Sequence, residues 1–463
     1  MSRLTRSTHV RRRSAMLGRW LALMLALTLV AASCGNDDDD PVVADEPVAT
    51  SEPATSDPAE PEPEVSDEPE PEPEVSDEPA EPTASDEQEE PVEEDSGGID
   101  PSLDPIKIAF ISNWDIPSLG ISTVEKLVAA EVAVEAINAR GGINGAAIDL
   151  FTCNVPNDAA SADACARDAV DRGVVAIAGM STPTNGNAMA IFEEAGIPVV
   201  GAALEPSVWG SPVEFSITQG TPGLFVGQAI QLANLGVTTA RFVITDFGPT
   251  TAGPLLFFGI GAGQMGMSVV EEIYVPPDQV DMAPIVQSAI ADDVDGIIYL
   301  LAAPPAILGF ERAVRQAGFE GPLITSDGPL DPPTVAQMSQ DTRVASLVTL
   351  NSPGGERYLA EVAEFSPGSI ATPFSGIGWL AINVIADFAS ELDEVTSENL
   401  IEAMSVATDV DLYGMVFNAD FTSPIPPLAA QGADRIVQRA IAVATPNEDG
   451  LLLDGELVVV FPD

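Results

Sequence analysis

Histidine is almost absent from this 463-residue chain: the single one is His9. Everything after residue 9 therefore lacks the commonest general base and the commonest metal ligand. Cysteine is also scarce, with Cys34, Cys153 and Cys165 the complete set. Two thiols without histidine do not close a zinc site, so neither metal nor cofactor is expected. Lysine is scarcer still beyond residue 105, where Lys107 and Lys126 stand alone and 12 basic residues meet 44 acidic ones. Nucleic-acid phosphates need a basic face, which this composition does not provide. The N-terminal apolar run, Trp20–Ala32 broken only by Thr28, has 13 residues, short of the roughly 20 that a helix needs to span a bilayer. No glycine-rich phosphate loop with lysine occurs, and no Gly-x-Ser-x-Gly elbow follows a strand. Catalysis is not expected.

What is present begins with Arg3, Arg6, Arg11, Arg12, Arg13 and Arg19 ahead of that apolar run, then Ala31-Ala32-Ser33 and Cys34. This is the order of a secretory signal. Residues 31–34 resemble a lipobox, with Ala31 where Leu is commoner. The resemblance implies a bacterial lipoprotein signal over residues 1–34 and lipid on Cys34, which would hold the protein on the outer face of the cell membrane. An ordinary secretion signal with a chance cysteine is the alternative. Residues 35–105 carry 28 acidic side chains and no Lys or Arg, and Glu-Pro-Glu-Pro-Glu-Val-Ser-Asp-Glu-Pro repeats in tandem from Glu60 and Glu70. So little apolar surface cannot offset ordering entropy, and this stretch reads as a disordered, self-repelling tether.

Residues 106–463 are long enough for two lobes. Ile106–Ser112 is a short buried-type strand. The helix after it carries Leu127, Ala130, Val134 and Ile137 on one stripe and stops at Arg140-Gly141-Gly142. Residues 147–153 form a strand, Asp158 or Ser161 caps the next helix, and strands follow at 174–179 and 197–201 around a helix at 188–195. The alternation restarts after 224, with strands at 240–245, 268–275, 296–301 and 322–326 and helices at 252–265, 283–291 and 304–317. Alternating strands and helices of this kind build doubly wound parallel α/β sheets with a crevice at the strand C-termini. Cys153 and Cys165 remain as one pair in an exported chain and read as a disulfide.

Ile106–Ser112, Ala136-Ile-Asn-Ala-Arg-Gly-Gly-Ile-Asn-Gly145 and Gly196-Ile-Pro-Val-Val200 resemble the type I periplasmic binding fold, and within it the branched-chain amino acid binding proteins of ABC importers. The resemblance implies two doubly wound lobes joined by a three-crossover hinge, residues 106–222 and 352–410 making the first and 223–351 and 411–463 the second. It implies a monomer that holds a small-molecule ligand between the lobes and delivers it to an ABC importer permease. A sensing receptor of the same fold, without a permease, is the alternative. The Cys153–Cys165 pair sits where many such proteins carry a first-lobe disulfide.

Loops after strands supply the expected ligand contacts. Asn113 and Trp114 follow the first strand, where Trp114 either covers a ligand face or packs at the hinge. Ser181 and Thr182 match a Ser/Thr stretch that holds a ligand carboxylate in the family, although capping of the next helix suits them equally. Ala203, Leu204 and Glu205 match a loop that holds an α-amino group, with Glu205 where Thr is expected. In the second lobe Asp246 and Phe247 follow one strand, and Ala302 stands where Tyr is common. Asp327 matches the acidic residue that pairs with a ligand ammonium; its plain reading is an Asp-Gly turn.

Overall fold

The computed structural model describes residues 98–462 apart from 118–120, 183 and 247. The signal segment with Cys34, the tether up to residue 97, and Phe247 therefore lie outside the described residues. The described residues belong to one compact unit. The chain joins it before residue 106: the Asp100 amide donates to the Gly145 carbonyl at 2.8 Å, so the last residues assigned to the tether already lie on the folded body.

The first sheet contains β1 (Ile106–Ser112), β4 (Ile148–Asn154), β5 (Ala176–Ser181), β6 (Val199–Gly201) and β7 (Glu214–Ser216); β2 (Asp115–Ile116) and β3 (Ile121–Ser122) make a separate hairpin after β1. The order is β4-β1-β5-β6-β7, all parallel. Residues 108–112 of β1 are buried without alternation, as expected of a parallel strand covered on both faces. The helix Glu125–Ala139 buries Ala129, Ala130, Val132, Ala133 and Ala136, and these small side chains let the helix Pro373–Ser390 pack alongside. The helix Ala159–Arg172 begins where the Asp158 carboxylate accepts the Ser161 amide and ends at Gly173 in the left-handed region, which glycine adopts at no steric cost. A Cys153–Cys165 disulfide, Cα atoms 5.8 Å apart, ties that helix to β4.

The second sheet contains β8 (Thr239–Thr245), β9 (Ser268–Val269), β10 (Ile273–Val275), β11 (Gly296–Leu300), β12 (Leu323–Ser326), β13 (Thr342–Ser346), β14 (Ala440–Ala444) and β15 (Glu456–Val459). Its order is β10-β8-β11-β12-β13-β14-β15, with β9 also on β8. Pairing is parallel as far as β13, and β14 and β15 run antiparallel. The single strand expected over 268–275 is thus two short segments on one edge. The larger apolar core fills the first lobe and continues under the helix Gly220–Asn234, while Val243, Tyr299, Phe310 and their neighbours form a second cluster in the second lobe.

The chain changes sheets after β7, after β13 and before β14. The last change comes later than the sequence suggests. Phe421 packs on Phe215 and Phe388, and Arg435 bonds to the carbonyls of Trp209 and Pro212. Residues 412–435 therefore run along the first lobe, and the second is rejoined at Ala440, not at 411. Phe421 has an apolar surface to cover there, which short loop-like sequence does not announce.

Candidate functional site

Each sheet has one point where successive strands go to opposite sides of the first: β4 and β5 flank β1, and β10 and β11 flank β8. Crevices open at the carboxyl ends of strands at such points. Asn113 and Trp114, with Ser181 and Thr182, end the first pair of strands; Asp246 and Ala302 end the second. The register at the first point is irregular, slipping between Ile111 and Ser112. Met180, at φ 44°, and Ala203, at φ 51°, close β5 and follow β6 in the left-handed region. Each such non-glycine residue costs on the order of 1–3 kcal/mol, so the lobe holds strain at its strand ends.

The expected residues take different roles. Asn113 is buried, and both its carbonyl and its side-chain oxygen accept from the Lys126 ammonium, at 3.1 and 3.0 Å. Trp114 is half-buried and stacked on Phe110 with centroids 5.9 Å apart, and its amide donates to Asn154. Ser181 ends β5. Thr182 is fully buried and accepts the Thr184 amide at 3.2 Å. It does not cap the helix Ala188–Ala195, whose N-cap is Asn187. The Ala203 carbonyl accepts the Trp209 indole at 2.8 Å, and the Leu204 carbonyl accepts the Thr221 hydroxyl at 2.6 Å. Both carbonyls of this loop are therefore engaged within the protein. Glu205 accepts the Ser207 hydroxyl, and burial pushes its carboxyl up while that bond opposes the shift.

In the second lobe Asp246 is exposed and closes a turn onto the Gly248 amide at 2.9 Å. The Ala302 amide is tied to the Thr245 hydroxyl at 3.1 Å. Asp327 does form a turn, its carbonyl accepting the Leu330 amide at 2.9 Å. Its side chain is nonetheless 2 % exposed, unlike a surface turn residue. Oδ2 has no hydrogen-bond partner, and neither does the nearby Ser346 hydroxyl. Burial raises the Asp327 carboxyl to about 7, against smaller opposing effects from Ser346, its own backbone amide, Lys126 and the Phe374 backbone.

The sequence reading did not include Lys126. It is 6 % exposed, donates to Asn113, and lies 4.5 Å from the centroid of the Phe374 ring. Burial lowers its ammonium to about 8, while Glu125 and Asp327 favour the charged form. Phe374 begins the helix Pro373–Ser390 and packs beside Gly328. First-lobe Asn113 and Lys126, second-lobe Asp327, and Phe374 after the second crossing thus meet in one place. The cavity beside Asp327, lined also by Leu330, Pro332, Ala371, Thr372 and Pro373, holds about 10 Å³, room for roughly one water. Asn185, also unread in the sequence, is fully buried on the loop after β5, with its side chain close enough to Glu205 to oppose the upward shift of that carboxyl. Two signals in the sequence point to Lys126: it is one of two lysines after residue 105, and it stands in the first turn of a helix, where the dipole disfavours a cation.

Among the described residues no cluster of three or more His, Cys, Asp or Glu side chains is placed to hold a metal, and no helix is long and apolar enough to cross a membrane.

A periplasmic binding protein family model matches residues 105–450. No curated protein sequence matches the chain. Among solved structures, a fatty acid ABC transporter substrate-binding protein from Thermomonospora curvata is 17% identical with a TM-score of 0.64, the match covering 78% of this chain and 93% of that one. A leucine binding protein from Thermotoga maritima is 18% identical with a TM-score of 0.60, covering 76% and 98%. A branched-chain amino acid transporter substrate-binding protein from Streptococcus pneumoniae, in complex with isoleucine, is 17% identical with a TM-score of 0.60, covering 77% and 99%. At these identities the likeness is one of fold: α/β with two mainly parallel sheets, the type I periplasmic binding fold.

Proposed function

Because the chain belongs to the periplasmic binding protein family, whose members bind solutes and are not enzymes, we propose that it captures a small polar solute between its two sheets and hands it to an ABC importer. The observation that carries this reading is the meeting of Asn113 and Asp327, at strand ends of different sheets, with Lys126 from the helix Glu125–Ala139. A solute touching both lobes favours closure only through contacts that an open form lacks, and these residues supply such contacts. The anchor belongs to the same reading, with Cys34 as the lipidated residue and the acidic segment as the spacer between membrane and receptor.

The similar structures include a fatty acid transporter component and amino acid binding proteins. An amino acid or related compound fits the fold, although Glu205 and Ala302 depart from the branched-chain pattern. Thermal unfolding of the purified receptor with amino acids, amides, polyamines and aromatic acids tests the reading. A solute at a hundred times its Kd stabilises by about 2.7 kcal/mol, so one chemical class should raise the melting temperature by several degrees. A cooperatively folded protein that no solute stabilises would overturn it.

A further inference from the structure

We propose that the solute is a carboxylate without an α-ammonium group, and that Lys126 is the residue that selects it. This rests on the solute-binding reading above and names the ligand class of that site.

Lys126 is a buried cation whose direct partners are all neutral: the carbonyl and side-chain oxygen of Asn113 and the face of the Phe374 ring. No carboxylate is in ion-pair contact with it among the described residues. A charge taken out of water without a counter-charge at contact distance is costly, and an anionic ligand supplies that counter-charge. The setting makes the residue matter more. With 44 acidic and 12 basic residues after 105, the surface field repels anions. Selection of an anion therefore requires a local buried cation, and among the described residues the only other lysine, Lys107, spends its ammonium on the Arg172 carbonyl at 3.1 Å.

Asp327 fits the same assignment. Its Oδ2 and the Ser346 hydroxyl are buried and unpartnered. A protonated Asp327 donates to a ligand carboxylate, and the Ser346 hydroxyl stands beside that carboxyl. Below neutral pH Asp327 carries that proton. An amino acid is opposed here, because its ammonium would share a buried space with the Lys126 ammonium. Like charges so placed repel.

The experiment is calorimetric titration of the full soluble domain, residues 98–463, with matched probes: leucine against 4-methylpentanoate, isoleucine against 3-methylpentanoate, and octanoate against octanamide. The acids should bind, with the amino acids and the amide at least tenfold weaker. Lys126→Met, which keeps the stem and removes the charge, should weaken acid binding tenfold to a hundredfold, and Lys126→Arg should recover most of it. Asp327→Asn, which keeps a donor, should change acid affinity by less than threefold. The wild-type comparison needs no variant, so it stands even if a Lys126 substitution misfolds. An amino acid that binds more tightly than its deaminated acid overturns the assignment and leaves the receptor function standing. Unchanged acid affinity in a folded Lys126→Met protein also overturns it. Binding of no probe by native protein overturns this ligand class, whereas the broader thermal screen decides the receptor function separately.

Discussion

Glu214 should make the stability of this protein fall as pH rises from about 5, and Glu214→Gln should remove that fall. The residue opens β7, is 1 % exposed, and has no hydrogen-bond donor on either carboxylate oxygen. Its carboxylate lies against Gly201, where a Cβ would make ordinary contact with Oε1 at 3.5 Å. Burial raises the carboxyl well above its ordinary 4.5, and Arg435 offsets only part of this, since its guanidinium bonds to the Pro212 carbonyl and lies over the Phe215 ring. The folded state therefore keeps a proton that the unfolded chain loses above about 4.5. The contribution is fully present below that pH and is lost as pH rises toward the folded-state value. One proton gives at most about 1.4 kcal/mol per pH unit, so the stability gap between Glu214→Gln and wild type should widen by up to about 2 kcal/mol from about pH 5 to about pH 6.5. Urea unfolding at matched pH values measures it, because the other titrating groups are common to both proteins. A gap that stays constant across this range would refute the reasoning.

Three further outcomes follow from other parts of the molecule. Replacing Cys153 and Cys165 by alanine opens a 12-residue separation and should cost roughly 3 kcal/mol in chemical denaturation. Glu361→Leu should cost about 3 kcal/mol in the same assay. It strands the buried Trp379 indole, now bonded at 2.6 Å, and removes the carboxylate shared by the half-exposed Arg140 and Arg357, the latter keeping its bond to Asn383. Mass spectrometry of membrane-extracted protein should find a mature N-terminus at Cys34 bearing lipid; an unmodified Cys34 or cleavage elsewhere contradicts the anchor.

Where a segment announces itself locally, the sequence reads correctly. β1 spans Ile106–Ser112 because an apolar run is bounded by polar residues, and the helix Ala188–Ala195 ends at Gly196 in the left-handed region. Asp158 caps its helix as its side chain dictates, and the lone cysteine pair is joined. What fails is set by tertiary partners. β7 is three residues, Glu-Phe-Ser, with too few positions for any period. β13 alternates weakly and becomes a strand by pairing with β12 and β14. The late return at Ala440 depends on Phe421 finding Phe215. At the site, the carboxyl ends of strands direct attention to Asn113, Thr182 and Asp327. A charged residue on a helix, by contrast, reads as a solvated face. Lys126 is invisible to that logic until Asn113 and Phe374 close over it.

The central claim is capture of a solute between the two sheets. A crystal structure of the receptor with the tightest-binding solute from the thermal screen tests it most directly. Ligand density should lie within hydrogen-bond distance of Asn113, Thr182 or Lys126 on one side and Asp327 on the other, with the cavity beside Asp327 enlarged well beyond about 10 Å³. Density confined to one lobe or to the outer surface, with that cavity unchanged, would contradict the account.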